Sequence, residues 1–395
     1  MSSLADAGGG GRVALKILLL VALLVLPPLA GVHLAGEPVA PYLAFPPELA
    51  PPAVAPFSWL RFGIIAAAVV AVVAPFLIVV LRHQDRGAIR REPRRRLPWW
   101  GWLGLLWLLA SWLVAWNRFA WVEAWQAYTF TPIWLGYIVL VNGLCYRRSG
   151  RSLLTDRPWL LLLLFPASSL FWWFFEFLNR FTQNWAYQGT GTPDGLSYLL
   201  AGSLPFATVL PAVLSTRDYL ASFPQLYAGL EDGWRPPRLG VGAAAGLLLI
   251  AALCLLALPL LPMLLYPMVW LAPLIGVIAL QALFGEPTAL DPVFAGDWRP
   301  LWLAALAALV CGFFWEFWNW HSVARWEYHV PYVDRFHLFE MPLLGYAGYL
   351  PFGLQCVAAA TLFFGARHEL VYGLPLTRAA VERSDGTPAL EVRQV

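Results

Sequence analysis

Phe313-Phe314-Trp315-Glu316-Phe317-Trp318-Asn319 closes a hydrophobic run that begins near Pro300. A carboxylate and an amide, three residues apart, sit in an otherwise aromatic and apolar segment. The same arrangement occurs at Trp173-Phe174-Phe175-Glu176-Phe177-Leu178-Asn179. A charged side chain at the centre of a bilayer-spanning helix costs roughly 2.5–3.5 kcal/mol on insertion scales. Two copies of so costly an arrangement point to a paired site within a membrane protein.

Composition supports that class. Hydrophobic residues make up 60% of the 395-residue chain and charged residues 12%, whereas a soluble domain is about a quarter charged. Apolar runs of roughly 20 residues, long enough to span a bilayer core, recur along the chain. The expected fold is all-α, a polytopic transmembrane helical bundle of about ten spans. They fall near Val13–Ala35, Trp59–Leu81, Leu97–Trp116, Phe130–Tyr146, Pro158–Asn179, Leu196–Leu214, Leu239–Leu261, Leu264–Phe284, Pro300–Asn319 and Met341–Phe364. The first run follows Lys16 and competes with a signal peptide, but it is longer than a usual signal core, which favours a retained helix. Seven prolines within 36–56 make that segment an extended loop. Trp121 and Trp125, four apart, mark 118–129 as a short interfacial helix. Gly242-x-x-x-Gly246 is expected to pack against another helix. The four cysteines fall in apolar runs with no C-x-x-C and read as buried packing residues.

Charge gives the orientation. The 26 basic residues are 25 Arg and Lys16, and they cluster. Arg82, Arg86, Arg90, Arg91, Arg94, Arg95 and Arg96 follow the second span. With ten spans and both termini cytoplasmic, 21 basic residues fall inside and five outside, as the positive-inside rule requires. Topology accounts for the Arg-rich loop, so no nucleic-acid partner is expected, and the bilayer is the evident partner.

An ordered series of matches defines an internal repeat. Arg157-Pro158 corresponds to Arg299-Pro300, Glu176-Phe177-x-Asn179 to Glu316-Phe317-x-Asn319, and Trp185-x-Tyr187 to Trp326-x-Tyr328. Ala201-Gly202-x-Leu204-Pro205-Phe206 corresponds to Ala347-Gly348-x-Leu350-Pro351-Phe352. Spans 4–6 and 8–10 are then two parallel three-helix repeats. The chain divides into a three-span region with the Arg-rich loop (1–129), a first repeat (130–215), a linker with span 7 (216–263), a second repeat (264–365) and a polar tail (366–395).

The candidate site residues are Glu176, Asn179, Glu316, Asn319, His321 and Glu340. Residues i and i+3 share a helix face, so each Glu is expected to act with its Asn. The Glu side chains are candidate general acids or proton carriers acting on a lipid-like or isoprenoid molecule. The alternatives are a proton-coupled secondary transporter, or a structural protein whose Glu–Asn pairs only clamp helices, with Glu176 paired to Arg180. His321, His329 and His337 are spaced eight apart, which matches no standard ligand spacing, and no metal site is expected. The Trp and Tyr after each Asn read as interfacial anchors. No motif identifies a cofactor.

At Gly312-Phe-Phe-Trp-Glu-Phe-Trp-Asn319 and Phe339-Glu-Met-Pro-Leu-Leu-Gly-Tyr346 the chain resembles a family of bacterial multi-pass membrane proteins without an established activity. The resemblance covers mainly residues 130–365 and implies a bacterial inner-membrane location. A looser architectural similarity connects the chain to the fused lycopene cyclases, whose tandem three-helix units carry intramembrane carboxylates that protonate a polyene. Their Pro-x-Glu-Glu type motif is absent here, so no catalytic residue is carried over.

Overall fold

The computed structural model describes residues 3–47, 49, 55–84, 95–190 and 194–375. Arg86, Arg90, Arg91, Arg94 and the tail beyond residue 375 lie outside the described residues. Among the described residues the protein is all-α apart from two small strand pairs. Its principal helices are α1 (Ser3–Leu34), α2 (Trp59–His83), α3 (Trp99–Trp116), α4 (Phe130–Ser149), α5 (Pro158–Asn179), α6 (Gly195–Phe206), α7 (Val209–Ala221), α8 (Val241–Ala257), α9 (Met268–Leu283), α10 (Arg299–Asn319) and α11 (Tyr349–Phe364). Strand β1 (Trp185–Gln188) pairs with β2 (Arg325–Tyr328), and β3 (His337–Leu338) with β4 (Met341–Pro342).

Local chemistry sets the helix ends. Ser58 caps α2 by accepting from the Arg61 N–H, and Asp194 caps α6 by accepting from the Ser197 N–H. Pro158 occupies the first turn of α5, where its missing N–H costs nothing. Gly150, in the left-handed region, stops α4. The break between α6 and α7 follows Pro205. Buried Ser168 bridges it, donating to the Phe206 carbonyl at 2.6 Å and accepting from the Leu210 N–H at 3.0 Å. The freed backbone groups are thus paired inside an apolar environment.

Among the described residues, seven helical segments are long and apolar enough to cross a membrane, with α6–α7 counted as one, or eight if α4 and the bent segment before it form one span. Helices α8 and α9 are apolar but shorter. The segment before α4 is a 3-10 helix, Ala120–Tyr128, inclined at 71° to α4. It buries Val122 and Gln126 and exposes Trp121 and Trp125, as an interfacial helix does.

Loops gather at two ends of the bundle. At one end Lys16 pairs with Glu286, His83 lies against Gly229, and the Arg95 N–H donates to the Arg147 carbonyl. Arg148 holds Ser222, and Arg217 holds the carbonyls of Glu369 and Leu370. At the other end Arg180 holds the Tyr42 carbonyl, Arg118 the His321 carbonyl, the Ser58 N–H donates to Tyr332, and the His329 N–H to Asn184.

Glycines let helices approach closely, but not the pair expected. A Cβ on Gly353 of α11 would meet the Ala304 carbonyl oxygen of α10 at 2.0 Å, and one on Gly31 of α1 would meet the Leu256 carbonyl oxygen of α8 at 2.0 Å. Gly101 and Gly143 face each other across α3 and α4. A Cβ on Gly242 or Gly246 would meet no atom of another described element within 4 Å, so the motif makes no close helix approach. The face of α8 turned inward carries Ala244, Ala251 and Leu255 instead.

Candidate functional site

Both glutamates end up beneath the β1–β2 ribbon. Glu176 and Asn179 lie in the last turn of α5, Glu316 and Asn319 in the last turn of α10, and each helix leads by a short loop into its strand. Alternate strand residues share a face, and Trp185 is opposite Tyr328 and Tyr187 opposite Trp326. All four aromatic side chains therefore project from one face of the ribbon. The other face carries Ala186, Gln188, Arg325 and Glu327, with Arg325 and Glu327 paired at 3.1 Å.

These aromatic groups hold the carboxylates. Glu176 Oε1 accepts from Tyr187 Oη at 2.6 Å, Trp172 Nε1 at 2.9 Å and Trp185 Nε1 at 3.1 Å. Glu316 Oε1 accepts from Tyr328 Oη at 2.7 Å and Tyr349 Oη at 2.6 Å, and Trp326 Nε1 donates to Tyr328 Oη at 2.8 Å. Burial first, and the adjacent carboxylate second, push the Tyr187 and Tyr328 phenols well above their ordinary range, which keeps both as donors. Glu316 is fully buried, and its Oε2 is buried without a hydrogen-bond partner. Indole N–H groups of the surrounding aromatic core, those of Trp112, Trp134, Trp315 and Trp318, are likewise buried without partners among the described residues. Among the described residues no Lys or Arg forms an ion pair with either glutamate.

The asparagines act on backbone rather than on the carboxylates. Asn179 Nδ2 donates to the Trp185 carbonyl at 2.8 Å and its Oδ1 accepts from the Trp185 N–H at 3.4 Å. Asn319 does the same to Trp326, at 2.7 and 2.8 Å. Each therefore ties its strand to its helix, and the expected Glu–Asn cooperation is replaced by Tyr and Trp donors. The reason is reach. The amide matches a peptide group in the returning strand, while the longer aromatic side chains extend down to the carboxylate.

Other expectations change too. Arg180 does not pair with Glu176; its guanidinium binds the carbonyls of Tyr42 and Ala44 at 2.6 and 3.0 Å. His321 is exposed and packs between the rings of Trp116 and Trp320, so the structure does not bring it to the carboxylates. His337 pairs with Asp334 at 2.8 Å. Glu340 is half-buried and near enough for its charge to act on Glu316. The Trp and Tyr expected as interfacial anchors turn inward. In the segment after α10, Tyr332, Phe336 and Phe339 hold left-handed backbone at φ 68°, 55° and 60°, a conformation that costs a bulky residue energy.

The residues that sequence reasoning missed are Trp172, Gly312 and Tyr349. Tyr349 occupies the variable position of the Ala-Gly-x-Leu-Pro-Phe unit. A Cβ on Gly312 would meet the Tyr349 ring at 2.4 Å, so only glycine there admits the phenol.

Away from the glutamates, two cavities among the described residues have no glutamate in their lining. One, of about 30 Å³, is apolar and lies between α1, α5, α9 and α11, with Gln355 its one polar side chain. The other is an open cleft of about 150 Å³ lined by Asp291, His368 and Tyr372 among others.

Comparison with protein-family models, curated proteins and solved structures finds no match.

Proposed function

We propose that this is a bacterial inner-membrane protein of ten spans, with both termini cytoplasmic, in which Glu316 is an intramembrane acid/base group acting on a lipid-like or isoprenoid substrate. The observation that carries the reading is the state of Glu316. It is a fully buried carboxyl with no cationic partner among the described residues. One oxygen is held by two phenols, and the other makes no hydrogen bond to any described residue. A group fixed through one oxygen and free at the other is suited to giving a proton to a bound molecule and recovering one from it. The strained segment beside it adds support, since such strain clusters at functional sites.

The topology rests on the two loop clusters. Helix after helix joins the end rich in Arg to the opposite end, and α8 and α9 fit the same alternation. Two parallel repeats, 130–215 and 264–365, account for the matching Glu–Tyr and Asn–Trp bonds. They also account for the strand register, in which Ala186 faces its own counterpart Glu327. Helix α4 packs on α7 as α9 packs on α11.

The test replaces Glu316 by Gln and compares membrane accumulation and the extractable lipid and isoprenoid profile with wild type. Normal accumulation with an altered profile is expected. An unchanged profile sinks the reading.

The second reading is a structural clamp. The observation favouring it is the ribbon itself, which ties α5 to α10 through both asparagines. On that reading Glu316→Gln lowers stability and changes no metabolite.

A further inference from the structure

The two clusters differ by a compensating exchange. Counting from the glutamates, Trp172 of α5 corresponds to Gly312 of α10. Counting from the Ala-Gly-x-Leu-Pro-Phe units, Ser203 corresponds to Tyr349. In the first copy the large residue is on the glutamate's own helix. Trp172 Nε1 donates to Glu176, and Ser203 Oγ is occupied by Trp173 Nε1 at 2.9 Å. In the second copy the large residue is on the following helix. Gly312 clears the space, and Tyr349 fills it and donates to Glu316. Either exchange alone fails sterically or leaves a void: Trp at 312 collides with Tyr349, and Ser at 349 beside Gly312 leaves only Tyr328 against the carboxyl.

The two donors are chemically unlike. An indole N–H only donates, whereas a phenol hydroxyl donates and accepts. With Tyr328, Tyr349 surrounds Glu316 Oε1 with two hydroxyls, against one hydroxyl and two indoles around Glu176 Oε1.

We infer that Tyr349 is the positioning residue that makes the second copy the working one: admitted by Gly312, it holds the Glu316 carboxyl by one oxygen and leaves the other for a substrate. This rests on the acid/base reading of Glu316.

The experiment uses the full chain in lipid nanodiscs, with two readouts. The first is the infrared carboxyl band of Glu316, identified as the band lost in Glu316→Gln. The second is the lipid and isoprenoid profile of cells making each variant. Tyr349→Phe keeps the ring and removes the hydroxyl. It should shift the Glu316 band and lower product by roughly tenfold, the worth of one hydrogen bond. Trp172→Phe should leave that band in place. Gly312→Trp alone should fail to accumulate, and Gly312→Trp with Tyr349→Ser should accumulate and show the altered profile of Glu316→Gln. A Glu316 band unmoved by Tyr349→Phe overturns the inference, whatever happens to the profile. A band that moves while Glu316→Gln leaves the profile unchanged upholds the positioning and removes the acid/base reading beneath it.

Discussion

Asn319 shows how a single polar residue inside an aromatic helix can serve the backbone. Its amide pairs both peptide groups of Trp326, at a place where an unpaired buried polar group costs about 1–3 kcal/mol. Asn319→Ala should therefore lower stability by roughly that amount, and Asn319→Asp by more, because a buried carboxylate oxygen would then face the Trp326 carbonyl with no donor between them. Thermal unfolding in detergent measures both. Asp156 makes a pH-dependent contribution at the other end of the bundle. Burial raises its pKa, but hydrogen bonds from Arg151, Thr155 and the Ser152 N–H outweigh burial and hold it below the usual carboxylate value. A carboxyl with a depressed folded pKa stabilises fully above its unfolded pKa, and that stability is lost as pH falls through the folded value. Melting temperatures taken downward through the acid range should fall more steeply for wild type than for Asp156→Asn. Equal slopes would show that this network does not couple to folding.

At the scale of elements, small residues decide which helices touch. Gly353 brings α11 onto the backbone of α10, and α10 carries Glu316. Gly353→Ala must push the pair apart, at a cost of about 1–3 kcal/mol, and should disturb the Tyr349–Glu316 bond as well. Loss of stability without any change in the Glu316 carboxyl band would separate the two effects. The first helix is a working part of the bundle. Leu24 is fully buried, Gly31 touches α8, and buried Lys16, the one lysine of the chain, pairs with Glu286. Breaking such a pair typically costs about 3–5 kcal/mol, because the remaining charge is left without a partner. Lys16→Met should reduce the folded yield in membranes, and Lys16→Met with Glu286→Gln should recover much of it. The helix also continues through Pro27 and Pro28. An N-terminal tag found on the mature membrane protein would agree with a retained α1, and its loss by cleavage would not.

Across the whole molecule, the proposed sidedness has a direct test. Cysteine at Thr155 should react with a membrane-impermeant reagent only from the cytoplasmic face, and cysteine at Arg325 only from the opposite face; reaction of both from one side would overturn the ten-span arrangement. The membrane class and most of the helices were legible in the sequence because both follow from local composition. The expected span Leu196–Leu214, however, is broken after Phe206, and the expected span Met341–Phe364 opens with a strand and a 3-10 turn before its helix starts at Tyr349. A run of about 20 apolar residues is helical in a bilayer whatever its neighbours, since its backbone must satisfy itself. Arg clustering orders the loops for a similarly local reason. Glu176, Asn179, Glu316 and Asn319 stood out because polar groups in apolar helices are costly. What each of them binds was not legible. Trp185 and Tyr187 have the composition of interfacial anchors, and only the pairing of β1 with β2 turns them onto a carboxylate. Gly242-x-x-x-Gly246 has the pattern of a contact, yet the helix rotation leaves it facing outward, and Gly353 and Gly31, which carry no motif, make the close approaches. His321 lies two residues from Asn319, but the chain has left the helix by then and its ring joins Trp116 and Trp320. The sequence by itself determined a membrane-embedded helical chain with two costly polar positions. The tertiary structure alone decided that Tyr349, 33 residues beyond Glu316 and on another helix, is what holds that carboxyl, because partners between helices depend on rotation and close approach, which local composition does not specify.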